Sequence, residues 1–241
     1  MSRLGTAMAA LALASIVAAC GGGGSKNATP AATATKAPAA PFTADRAKLL
    51  IQSVPLSPSD LADPGWKISS DSTQDNAAAA TADPTMAASN ERCGRLIGRI
   101  LTTMPPNVVS SFIGGETVSY FTQLTVYATE AGAADCAAEA ATKLQQPGQL
   151  ARAFGGLFIA PDSVVVTPVE YPATADGSFA VTLSGQISAA GFTVDLTLLV
   201  VAFRKGNVTA VVGSARNGTP PVSELTPLVE LVLKRIATAQ E

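Results

Sequence analysis

The sequence predicts an α+β fold: an antiparallel sheet of about five to six strands with helices packed on one face. Three observations predict it. The apolar spacing changes from helical to alternating at Val118. Later strands are joined by connections as short as Ser188-Ala189-Ala190 and Lys205-Gly206-Asn207, which allow only antiparallel neighbours. Helix-period segments do not alternate one for one with the strands, so the pattern reads as α+β and not as alternating βαβ units.

The elements follow in order. Thr43 to Ser53 (TADRAKLLIQS) has an N-cap threonine, an acidic first turn and an apolar Leu49-Leu50-Ile51 patch, the signature of a short helix. Pro58-Ser59-Asp60 reads as a helical turn, Pro64-Gly65 as a tight turn and Trp66-Lys67-Ile68 as the start of a strand. Asp71 to Asp83 reads as an irregular loop. Asp83-Pro84 then opens an expected helix to about Leu101, with Met86, Cys93, Leu96, Ile97 and Ile100 on its apolar face. Arg92, Arg95 and Arg99 fall on a neighbouring stripe, read as a solvated helix face, with an anionic ligand as the alternative.

From Val118, VSYFTQLTVYAT alternates Tyr120, Leu124 and Val126 against Phe121, Gln123, Thr125 and Tyr127. Thr129 caps a helix from Glu130 to Leu144 that carries Cys136 on an alanine-rich face, and Pro147-Gly148 ends it. Ser163 to Glu170, Ser178 to Ile187, Gly191 to Phe203 and Asn207 to Ala215 read as four more strands. Gly191 to Phe203 is apolar on both faces near its end, which makes it central. Thr226-Pro227 starts a last helix to Thr238, with Leu228, Leu231, Val232 and Ile236 inward.

Composition excludes several classes. The chain has 241 residues, 16 basic against 18 acidic, and no basic run exceeds a pair such as Arg204-Lys205. The electrostatic footprint of a nucleic-acid binder is missing. Histidine is absent, so Ser-His-Asp and Cys-His constellations are impossible. No serine stands three residues before any lysine, and the GGGG run lacks the GK[ST] ending of a phosphate loop. What remains is a pair of carboxylates from Glu116, Glu170, Asp176 and Asp195. Asp176-Gly177-Ser178 reads first as a turn. Asp195 shares its strand face with Thr193 and Thr197 and reads as solvated. No enzyme activity, cofactor or metal site is expected. The single tryptophan, Trp66, is a packing anchor or a stacking surface for a ligand.

The N-terminus carries the clearest signal. Arg3 is followed by an uncharged apolar stretch from Leu4 to Ala19, about 16 residues, too short to span a bilayer comfortably. It reads as a secretory signal peptide over residues 1–19. Val17-Ala18-Ala19-Cys20 resembles the lipobox of bacterial lipoproteins, which implies cleavage before Cys20 and acylation, palmitate included, of that cysteine. Residues 20–41 then form the lipidated cysteine and a Gly/Ala/Thr/Pro-rich linker, and residues 42–241 a single extracytoplasmic domain. Losing Arg3 leaves 15 basic against 18 acidic residues, a net −3, so anionic headgroups offer the domain no attraction.

Cys93 and Cys136 are the remaining cysteines. In an exported chain such a pair is read as a disulfide, closing a loop of about 43 residues; two thiols without histidine make a poor zinc site.

The segment DLADPGW from Asp60 to Trp66, Cys93, the unit YFTQLTVYATEAGAADCAAEA, the hairpin FRKGNVTAVVG and the final helix together resemble the extracytoplasmic sensor-type domains of actinobacterial lipoproteins and receptor kinases, and more loosely the PsbP-like fold. The likeness runs from about Ala44 to Gln240 and implies a non-enzymatic domain. One disulfide in place of two, and no transmembrane helix or kinase, depart from the kinase sensors. The expected protein is a lipid-anchored envelope lipoprotein at the extracytoplasmic face of the cell membrane, with a ligand-binding, sensor or accessory domain. A lipid carrier and a carboxylate hydrolase are the alternatives. Its expected partners are the membrane, through the anchor, and an envelope protein or apolar ligand.

Overall fold

The computed structural model describes residues 42–62, 64–74, 88, 91–144, 158–160, 163–172, 176–189 and 192–241. The signal segment, Cys20, the linker and the turns expected after Leu144 lie outside these residues. Seven described strands form one antiparallel sheet: β1 (Lys67–Gln74), β2 (Arg95–Met104), β3 (Thr117–Tyr127), β4 (Val165–Val169), β5 (Ser178–Ala189), β6 (Phe192–Lys205) and β7 (Val208–Arg216), in the order β1-β2-β3-β7-β6-β5-β4. Four helices accompany it: α1 (Ala44–Ser53), α2 (Val108–Ile113), α3 (Glu130–Leu144) and α4 (Val222–Gln240). The class is α+β, with seven strands where five or six were expected.

The helices divide between both faces, which corrects the expected one-sided arrangement. On the first face, Leu124, Leu199, Phe203 and Val212 of the sheet pack against Leu50 of α1 and Val232 of α4. On the second, Phe121, Leu183, Leu198 and Val211 pack with Phe112 of α2 and Ala137 of α3. The reason lies in the central strands. Every residue of β7 up to Ala215 is buried, so both faces of the sheet need a cover. Phe121 lies flat across β7 because position 213 has no side chain; a Cβ there would sit 2.1 Å from the ring.

Local signals predicted several elements well. The Thr43 hydroxyl accepts from Arg46 N at the start of α1, and Thr129 Oγ1 accepts from Gly132 N at 3.0 Å at the start of α3. β6 and β7 are joined at Gly206-Asn207, where Gly206 takes φ +57°, the left-handed region that glycine enters freely.

Three expectations are overturned. The helix to Leu101 is wrong over its second half: residues 95–104 are strand β2, and Cys93 sits in the turn before it. β2 is buried on both faces and bulged between Arg95 and Ile97, so Leu96, Ile97, Ile100 and Leu101 fall at helix-like intervals without forming a helix. Asp71 belongs to β1, which continues to Gln74 where a loop was expected. The last helix starts at Val222, four residues before the predicted Thr226, and runs through Pro227. Leu225 is fully buried, and its packing secures the extra turn.

Candidate functional site

Two corners of the sheet collect polar side chains against a packed background. The first is where β3 begins and α4 starts. Trp66 follows the Pro64-Gly65 turn and stacks on Tyr120 of β3, with ring centroids 5.0 Å apart. Thr117 Oγ1 donates to Glu224 Oε1 at 2.6 Å, and Arg216 pairs with the other oxygen of that carboxylate at 3.4 Å. Arg216 also donates to the Gly115 carbonyl. Burial, then the Glu224 charge and its hydrogen bond, push the Tyr120 phenol far above its ordinary range. Glu224 thus latches the first turn of α4 to β3 and β7. Trp66 and Tyr120 are both half-buried.

The second corner lies on the opposite sheet face, under α3. Cys93 and Cys136 are disulfide-bonded with Cα atoms 5.8 Å apart, which ties the turn before β2 to α3. Tyr127, with no exposed surface, packs in the same cluster. Arg95 pairs with Tyr127 across the ladder and is only 3% exposed. Its guanidinium lies over Gly98, where a Cβ would come within 2.5 Å of Nη2, and Nη2 donates to Gln74 Oε1 at 3.3 Å. Thr125 and Thr209, paired across β3 and β7, are also buried. Burial pushes the Tyr127 phenol up, while the Thr209 hydroxyl and the Arg95 charge act the other way. Neither Tyr127 Oη nor Thr209 Oγ1 completes a hydrogen bond of acceptable geometry among the described residues.

The sequence missed this corner because it placed Arg92, Arg95 and Arg99 on one solvated stripe. They occupy three environments. Arg92 pairs with Glu139 of α3. Arg95 is buried. Arg99 makes a two-pronged pair with Asp71, 2.8 Å at each contact, and donates to the carbonyl of Ile51 at the end of α1. A signal was present: Gly98 three residues after Arg95 leaves room along the strand for a long side chain.

The four carboxylates do not converge on one pocket. Glu116 and Glu170 are exposed on separate connections. Asp195 is exposed and accepts from Gln186 across the β5–β6 ladder at 3.3 Å. Asp176 accepts from Gly206 N at 2.7 Å and pairs with Arg204, so it clasps the β6–β7 turn. Among the described residues no group of three metal-ligating side chains occurs, and no helix is long and apolar enough to cross a membrane.

No protein-family model matches the chain, and no curated protein matches it significantly. Among solved structures it is similar to the extracellular domain of PknH from Mycobacterium tuberculosis, at 9% identity and a TM-score of 0.47, covering 82% of this chain and 98% of that one.

Proposed function

We propose that the chain is a membrane-tethered lipoprotein of the cell envelope whose domain, outside the cytoplasm, binds an envelope-derived ligand or partner without catalysing a reaction. The observation that carries this reading is the Cys93–Cys136 disulfide. Cytosolic thiols are kept reduced, so a bonded structural pair belongs to an exported domain, in agreement with the signal segment and the VAAC sequence before it. Cys20 is then the cysteine left for acylation. The non-enzymatic reading is supported by the scattered carboxylates and the absence of histidine.

Phe42 N donates to the Ala128 carbonyl, just beyond the end of β3, so the first described residue sits at that end. The Trp66–Tyr120 corner lies toward the other end, roughly 25 Å away along β3 at ~3.3 Å per residue. Half-buried Trp66, packed on Tyr120 at that far corner, is the aromatic surface this reading assigns to an envelope partner. The test is intact mass of protein taken from the envelope, alkylated before and after reduction. Alkylation of Cys93 and Cys136 only after reduction is expected. Two free thiols in freshly extracted protein would contradict export as the basis of the reading.

A further inference from the structure

The connection from β7 to α4 is held at both ends and exposed in its middle. Arg216, the last residue of β7, donates to the Gly115 carbonyl and pairs with Glu224 of α4. At the other end Pro220 is buried, and the Pro221 carbonyl accepts from Glu224 N at 3.0 Å. Between these anchors Asn217, Gly218 and Thr219 are all exposed. Gly218 takes φ +88°, and nothing lies within 4 Å of where its Cβ would stand. Its amide N–H has no backbone partner among the described residues.

These features favour one reaction. The backbone nitrogen that follows an asparagine can attack the side-chain Cγ and close a five-membered ring. A side chain on the following residue crowds that approach, and glycine has none. A nitrogen tied into a helix or ladder cannot turn toward Cγ, but Gly218 belongs to neither. Of the six asparagines in the chain, only Asn217 precedes a glycine. Asn207, in the β6–β7 turn, is the contrast. It is 6% exposed, its side-chain amide donates to the Tyr127 carbonyl at 2.7 Å and accepts from Gln240, and β-branched Val208 follows it.

We propose that Asn217 is a site of spontaneous deamidation, which converts the β7–α4 connection into a mixture of aspartate and isoaspartate as the protein ages. Gly218 N bonds to Asn217 Cγ and gives up its proton, the Cγ–Nδ2 bond breaks, and ammonia leaves. Water then opens the succinimide. Attack at Cγ yields aspartate; attack at the Asn217 backbone carbonyl carbon yields isoaspartate, whose main chain is one carbon longer. Water is the only other reactant. Either product sets a carboxylate beside Arg216, where it competes with Glu224 for the guanidinium. The longer isoaspartyl path lies between two anchored ends, so the first turn of α4 takes up the strain.

The experiment holds the purified full chain in mildly alkaline buffer for several days and follows it by intact mass and peptide mapping. Replacing an amide NH2 by OH adds about 1 Da. That gain is expected on the peptide carrying Asn217, as two products of equal mass that separate by chromatography. Asn207 should keep its amide, and Asn217→Gln, which would need a six-membered ring, should keep the mass it starts with. No gain at Asn217, or Asn207 reacting as fast, overturns the proposal. The aged natural chain should also melt below the fresh one, with no such change in aged Asn217→Gln. Equal melting of fresh and fully deamidated natural chain would overturn the coupling to α4. Neither arm involves a membrane or a ligand, so the outcome is independent of the tethered reading.

Discussion

Asp60 shows how much a single residue carries in this fold. It closes the helical turn at Pro58–Asp60 by accepting from Ser57 N at 2.7 Å, and it receives both prongs of Arg235 from α4, at 2.9 and 2.6 Å. Burial pushes its carboxyl up, but the Arg235 and Ser57 hydrogen bonds together outweigh this and hold it below the ordinary carboxylate range. A carboxyl depressed in the folded state stabilises above its unfolded value, near pH 4, and loses that contribution as pH falls through the folded value. Unfolding midpoints measured from pH 6 down to 2 should therefore fall more steeply for the natural protein than for Asp60→Asn. Arg235→Met, which strands the carboxylate, should cost on the order of 2–3 kcal/mol at pH 7 by denaturant melts. Gly213 is a second such residue. Alanine there meets the Phe121 ring, and overpacking of this kind should destabilise by roughly 1–3 kcal/mol; a melt within error of the natural protein would refute the packing described.

Among the elements, those governed by local chemistry were legible and those governed by their neighbours were not. The caps at Thr43 and Thr129 and the turn at Gly206-Asn207 depend on residues within four positions, and each formed where the sequence placed it. β2 depends on its surroundings. Covered on both faces, it has no polar side to show a period of two, and its bulge breaks what alternation remains. The misreading of β2 hid the buried corner as well, because Arg95 reaches the second sheet face only when residues 95–104 are extended. The disulfide was legible from the number of cysteines, although Cys93 lies in a turn and not on a helix. It closes 43 residues that include all of β2 and β3, so its reduction should cost about 4 kcal/mol on the loop-entropy account. Thermal melts with and without reductant check this, and no shift would show that the bond adds nothing to the packing of α3.

For the whole molecule, the proposed function treats tether and domain as separable parts. The linker of residues 21–41 spans up to about 60 Å when extended at ~3 Å per residue, enough to hold the domain clear of the bilayer. The domain has no charge excess to draw it to anionic lipid, since the processed chain would carry 15 basic and 18 acidic residues. On the proposed reading attachment depends on Cys20 alone, and the most direct measurement is fractionation of cells making the natural chain or Cys20→Ala, with intact mass of the purified product. The account predicts that the natural chain is in the membrane fraction, cut before Cys20 and heavier by its acyl groups. It predicts that Cys20→Ala is either uncut or released. A Cys20→Ala chain that loses its signal segment and still partitions fully into the membrane would contradict it.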